Sequence, residues 1–232
     1  MKEIRFGLKN YWKMFKARGF LYPISYFFQV RWFDIRRQVD THLWVPKEFE
    51  SEGVPNSDHG TIYMASRTID IKTSFNISRQ LLGKRFENFQ FIDIGSGKGK
   101  VVLFWLELCR KTKVIQKLLG IEYQKSLCEI ASSNYVSMFK DSPSELFVCA
   151  DALDFDFTKL EDEIIVFLSN PFDRQVMQRL VKNLQSKRVL VIYSIPRNPE
   201  VFTISGFSVV KRVENKWLGS DFDILFLSNF KI

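Results

Sequence analysis

Between residues 89 and 194, five short apolar runs alternate with stretches of helical period, and this alternation constrains the fold more than any other feature. The runs are residues 89–94, 118–123, 145–150, 164–169 and 188–194; helical patterns cover 98–110, 125–139 and 174–184. A strand that is apolar on successive residues must be covered on both faces, the condition of a strand inside a parallel sheet. Helices between such strands supply the crossover that parallel neighbours require. The order therefore predicts an α/β fold with a mostly parallel sheet. The end of the chain departs from it: residues 206–213 and 223–230 read as two strands joined without a helix, an antiparallel pair closing the sheet.

The first sixty residues follow a different pattern. Ile4, Leu8, Tyr11, Trp12 and Phe15 stand at helical spacing with basic residues between them. Gly19 ends that segment, and Pro23 opens a second helix expected to reach about Gln38. Residues 40–60 read as a loop, with Pro46, Gly53, Pro55, Asn56 and Gly60, and residues 61–88 as a lead-in segment containing a helix. The expected organisation is a basic, aromatic helical arm with its lead-in loop over 1–60, followed by one body over 61–232. With 46% apolar residues the body can bury a full core.

Charge separates the same two regions. The chain carries a net +8, of which residues 1–46 supply +6 through nine Lys/Arg against three acids. Residues 1–38 accordingly admit three readings. They contact nucleic acid through cations and aromatic rings, rest on an anionic membrane surface or partner, or cap the body with their aromatics turned inward. No recognised RNA-binding motif accompanies them. The apolar stretch 20–33 contains Pro23, Gln29 and Arg31 and is too short and polar to span a bilayer. Cys109, Cys128 and Cys149 are widely spaced and fit neither a zinc site nor a disulfide framework. With no secretory signal visible, the expected location is cytoplasmic.

The first strand ends in a glycine loop, Phe91-Ile-Asp-Ile-Gly-Ser-Gly-Lys-Gly-Lys100. Glycines let backbone approach a ligand that a Cβ would exclude, and the following helix N-terminus suits a carboxylate. A dinucleotide fingerprint needs glycine at position 100, where Lys100 stands; a Walker A loop needs glycine at 94 and Ser/Thr at 101, where Ile94 and Val101 stand. What remains is D-x-G-x-G-x-G, formed by Asp93, Gly95, Gly97 and Gly99. Glu122 ends the second strand, 23 residues after Gly99, where a carboxylate can accept ribose hydroxyls. Tyr123 beside it packs on an adenine face or in the core. Asp151 follows the third strand, and its carboxylate with the next backbone N–H, that of Ala152, matches an adenine edge. These three acids converge on the C-terminal edge of the sheet, where open α/β sheets bind ligands.

Taken together, Phe91–Lys100, Gly120-Ile-Glu-Tyr123, Ala150-Asp-Ala152 and Asn170-Pro-Phe172 make the sequence resemble the class I S-adenosylmethionine-dependent methyltransferases. The resemblance implies a Rossmann-like sheet with S-adenosylmethionine as cofactor and no metal. Asp93 and the Gly95, Ser96, Gly97 and Gly99 backbone would hold its methionine end, Glu122 the ribose, and Asp151 with Ala152 the adenine. A narrower similarity is to bacterial members of unassigned substrate, through Asp40-Thr41, Val45-Pro46, His59-Gly60 and Tyr63, although Ala65 stands where that group tends to have proline. The cofactor half also resembles Rossmann-type histone-lysine methyltransferases. Asn170-Pro171-Phe172 is similar to the Asn/Asp-Pro-Pro-aromatic motif of amino-group methyltransferases, with Phe172 in place of the second proline.

That similarity implies an amine acceptor, hydrogen-bonded to Asn170 Oδ1 and the Pro171 carbonyl; for a lysine acceptor, the polar lead-in residues His59 and Tyr63 are the candidate bases or positioners. Asp173 pairs with a cationic substrate or caps the next helix. The expected methyl acceptor is a protein lysine ahead of RNA or a small molecule. The competing reading is a non-catalytic cofactor-binding module whose basic arm binds nucleic acid or membrane.

Overall fold

A computed structural model describes residues 11–13, 15–16, 19–42, 65–141, 145–169, 172–214 and 223–232. Its centre is a seven-stranded sheet of order β3-β2-β1-β4-β5-β7-β6. The strands are β1 (Gln90–Ile94), β2 (Leu118–Glu122), β3 (Phe147–Cys149), β4 (Glu163–Ser169), β5 (Arg188–Ser194), β6 (Ser208–Val213) and β7 (Ile224–Ser228). The first five pair in parallel, whereas β7 runs antiparallel to both β5 and β6. The predicted α/β sheet with its terminal antiparallel pair is therefore the observed one. Between β1 and β4 the order of succession reverses, so the loops after these strands part and leave a crevice at the C-terminal edge.

Successive strand residues point to opposite faces, and each face has its own core. On one side Ile92, Ile94, Val166, Leu168 and Val191 pack beneath Met177, Leu180 and Leu184. These last three lie on the helix Arg174–Leu184. On the other, Phe91, Ile165, Phe167 and Ile192 meet Phe75, Phe86 and Trp105. Trp105 stacks on Phe91 with centroids 3.9 Å apart and donates its indole N–H to Gln116 Oε1 at 2.8 Å. Burying so large a ring without orphaning its donor is the condition for a buried tryptophan.

Among the described residues the sheet is accompanied by the α-helices α1 (Leu21–Tyr26), α2 (Trp32–Arg37), α3 (Thr68–Leu82), α4 (Lys100–Thr112), α5 (Lys125–Phe139), α6 (Arg174–Leu184) and α7 (Glu200–Ile204). Residues 11–13 and 15–16 are helical as well. Helix α4 starts two residues later than the spacing predicts, because Gly95, Gly97 and Gly99 adopt φ of 78°, 52° and 83° and cannot belong to a right-handed helix. Helix α7 was not expected: five residues after Pro199 are too few to show a period.

The second arm helix is a single run in which a π turn, Phe27–Arg31, joins α1 to α2. Pro23 is tolerated because it lies in the first turn, where N–H groups have no helical partner. The run ends at Gln38, left-handed at φ 56°. Its inner side is buried at Val30 and Phe33, and the Phe33 ring meets Phe104 edge-on at 5.5 Å. Gln29 Oε1 accepts from Ile69 N at 2.9 Å, so the arm caps the start of α3.

Candidate cofactor site at the glycine loop

The site is built from the ends of three strands. Gly95 N and Ser96 N both donate to the Ile121 carbonyl, at 2.9 and 3.0 Å, which folds the loop back over β2. Glu122 then fixes the turn. Its Oε2 accepts from Gly97 N at 2.8 Å and its Oε1 from Gln124 N at 3.0 Å. These bonds orient the Glu122 carboxylate at the end of β2.

Two of the glycines involved are demanded by one ring. A Cβ on Gly99 would lie 2.7 Å from Phe147 Cζ, and one on Gly120 would lie 2.7 Å from Phe147 Cδ1 and 2.9 Å from Ser96 Oγ. Phe147, on β3, is the floor on which the loop rests. It carries no motif, and only the three-dimensional pairing of β2 with β3 reveals it.

Asp93 takes the same face of β1 as Phe91 and is buried. Burial first, and then the nearby Glu122 charge, push its carboxyl well above the usual carboxylate range. Its Oδ2 has no protein partner, nor have the buried Ser96 Oγ and Gln124 Oε1. Buried polar atoms are nearly always satisfied, so three beside one glycine loop are suited to a polar ligand. Among the three, Gln124 had no signal in the sequence.

Asp151 lies half-buried after β3 and folds its own loop, accepting from Leu153 N at 2.9 Å. Ala152 is buried in the core on the α6 side, and Tyr123 is half-buried. Phe172 packs against the same core. The alternatives for Asp173 resolve toward the helix: its Oδ1 accepts from Gln175 N and Val176 N, both at 3.0 Å, as the N-cap of α6. His59, Tyr63, Asn170 and Pro171 lie outside the described residues, as do Val45, Pro46 and Gly60.

The structure adds a strap that motif reading missed. Asn134, on α5, accepts from Asp40 N at 2.8 Å and donates to the Asp40 carbonyl at 2.8 Å and the Lys98 carbonyl at 3.0 Å. Lys98, buried within the glycine loop, donates to Asp40 Oδ2 at 2.8 Å. The end of the arm is thus tied to the glycine loop. Upstream, the buried Asp34 accepts from Thr41 N at 2.6 Å, Thr41 Oγ1 at 2.5 Å, His42 N at 2.8 Å and His42 Nδ1 at 2.6 Å. Asp34, Asp40 and His42 are close enough to share an ion, although Asp34 already accepts four bonds and Asp40 Oδ2 is paired with the Lys98 ammonium.

Lys100, first residue of α4, is buried between arm and body. It donates to the Gln29 carbonyl at 3.1 Å and lies 5.1 Å from the Phe33 ring centroid. Burial pulls its ammonium down to about 7, against the smaller opposing pull of Asp34. Helix α5 and strand β3 bring Cys128 and Cys149 within hydrogen-bonding reach, and burial first and that contact next raise the Cys128 thiol. Spacing along the chain hides this pair.

No protein-family model matches the sequence, and comparison with curated proteins gives no match. Solved structures do match. A magnesium protoporphyrin IX methyltransferase from Synechocystis, crystallised with bound S-adenosylmethionine, aligns with a TM-score of 0.51 at 13% identity, over 89% of this chain and 95% of that one. A tRNA uracil methyltransferase from Pyrococcus abyssi, in complex with S-adenosylhomocysteine, aligns with a TM-score of 0.46 at 16% identity, over 70% of this chain and 38% of that one. At such identities the likeness is one of fold. The likeness to the Synechocystis structure, with the mostly parallel sheet and its antiparallel β7, shows a Rossmann-like methyltransferase fold.

Proposed function

We propose that this chain is an S-adenosylmethionine-dependent methyltransferase acting on an amine nitrogen. The observation that carries the cofactor reading is the set of buried, partnerless polar atoms, Asp93 Oδ2, Ser96 Oγ and Gln124 Oε1, beside a loop of three positive-φ glycines. In this reading Asp93, Ser96 and the loop backbone hold the amino-acid end of the cofactor. Glu122 receives the ribose, and Asp151 with the Ala152 N–H meets the adenine.

The cofactor supplies a methyl group already activated by its sulfonium charge, so the protein needs no nucleophile of its own. Its residues instead hold the acceptor in line and exclude water. Asn170 and the Pro171 carbonyl accept hydrogen bonds from the amine and aim its lone pair; His59 and Tyr63 take up or position its proton. The amine assignment rests on the Asn170-Pro171-Phe172 sequence. A protein lysine in particular gains no support from the fold, since the Synechocystis enzyme that shares it is a porphyrin methyltransferase.

Calorimetry with S-adenosylmethionine tests the first claim: folded protein that does not bind overturns it. Glu122→Ala and Asp151→Ala are each expected to weaken binding at least about tenfold, the loss of one or two charge-assisted hydrogen bonds. A cation bound beside Asp93 draws off the proton that burial makes it retain, so affinity should rise with pH. The same titration in buffers of different ionisation enthalpy reads that proton release. Asn170→Ala is expected to keep binding and lose transfer, measured with a tritiated methyl donor on a cell extract divided by protease and nuclease sensitivity. Unchanged transfer removes Asn170 from the mechanism.

A further inference from the structure

The arm helix has an apolar side that the body does not use. Leu21, Ile24, Phe28, Trp32 and Ile35 follow one another at intervals of three or four residues, and each is between 41% and 57% exposed. Their rings support one another, with Phe28 edge-on to Trp32 at 6.4 Å and to Phe27 at 5.4 Å. Trp12, stacked on Phe15 at 5.2 Å, belongs to the preceding helical segment and is also exposed. A continuous exposed apolar patch of this kind marks an interaction surface, whereas scattered exposed leucines do not.

Charge indicates what covers it. Lys13, Lys16 and Arg36 are exposed on the same arm, and residues 1–46 carry +6 of the net +8. Lys16 leans over the Trp12 ring at 5.5 Å, keeping its ammonium at the border of the apolar surface. We infer that this face of residues 11–36 lies on an anionic phospholipid surface, with the helix in the membrane plane. Leu21, Ile24, Phe28, Trp32 and Ile35 enter the boundary between headgroups and acyl chains, and the lysines and arginines meet lipid phosphates.

Two other occupants fit less well. Nucleic acid would satisfy the cations, but Leu21, Ile24 and Ile35 have no ring on which a base could stack. A second copy of the chain would set one strongly positive arm against another. Among the described residues no helix is long and apolar enough to cross the bilayer. Because the inner side of the run is tied to the glycine loop through Gln29–Lys100, docking holds that loop within about one helix diameter, roughly 10–12 Å, of the lipid. The inference does not depend on methyl transfer.

Vesicle sedimentation with the full chain tests it, using pure phosphatidylcholine against phosphatidylcholine containing roughly one third phosphatidylglycerol. The protein is expected to partition onto the anionic vesicles at least about tenfold better than onto neutral ones, and raised salt should reduce that difference. Phe28→Ser combined with Trp32→Ser should lower partitioning at least about tenfold while leaving the thermal midpoint unchanged, since both side chains are exposed. Failure of the wild type to pellet with anionic vesicles overturns the inference, as does undiminished pelleting of the double variant. So does a dimer in light scattering, or binding to single-stranded RNA, that the double variant abolishes without any vesicle binding by the wild type.

Discussion

The two sides of the arm helix are made of similar residues and meet different surroundings. On the inner side, Phe33 is enclosed by Phe104, with the Arg37 guanidinium 4.2 Å from its ring centroid and Lys100 close by. Arg37 in turn grips Glu107 of α4 with two bonds, at 2.6 and 2.9 Å. On the outer side, Phe28 and Trp32 stay exposed and meet one another and the half-buried Phe27. The difference shows that aromatic content does not locate a core. What separates the sides is polar fastening: the inner ring of Phe33 is bordered by Arg37 and Lys100, whose side chains find partners 70 and 71 residues away in the chain.

Substitutions on the two sides should therefore diverge. The largest effect is expected from Phe33→Ala, which opens a cavity between arm and body and costs about 3–5 kcal/mol in urea-induced unfolding. A cost below about 1 kcal/mol would mean that the arm contributes little to body stability. Asp34→Ala strips the donors of Thr41 and His42 of their acceptor and should cost about 2–4 kcal/mol by the same measurement.

Lys100→Met should act in the opposite direction, stabilising by about 1–3 kcal/mol near neutral pH, because a buried ammonium is exchanged for an apolar chain of similar length. The sign follows from its pKa. Folded protein loses the Lys100 proton near 7, while unfolded chains keep it until near 10.5, so wild-type stability rises with pH across that interval. In Lys100→Met this contribution to the slope should vanish. The smallest effect belongs to Trp32→Ala, within about 0.5 kcal/mol in the absence of lipid. A loss as large as that of Phe33→Ala would erase the distinction between the sides.

Much of this architecture was legible in the residues, and the exceptions share a cause. β4 and β5 are central strands, apolar on both faces, and their limits lie within one residue of the predicted ones. α5 and α6 begin and end as their period implies. The glycine loop and Glu122 were legible because backbone conformation and strand ends leave marks in sequence. Phe147, Asn134 and Gln124 were not, since each matters only for what the fold places beside it. Lys98 and Lys100 stay hidden for another reason: lysines are seldom buried, and nothing nearby in sequence shows that Asp40 and the Gln29 carbonyl receive them. The π turn at Phe27–Arg31 replaces an uninterrupted helix without altering the apolar spacing from which a helix is read.

The strap between Asp40 and Asn134 also bears on how the protein is made. Its partners are 94 residues apart, and Gln29 and Arg37 likewise wait for residues about seventy positions downstream. At translation rates of roughly 5–20 residues per second, about 5–20 s separate the synthesis of Asp40 from that of Asn134. During that interval Val30 and Phe33 have no body to enter, so the nascent arm offers apolar surface on both sides. The finished protein offers it on one. Exposure of the arm to chaperones is thus set by the distance along the chain to α5, and moving Asn134's partner closer in sequence, by circular permutation, should shorten it.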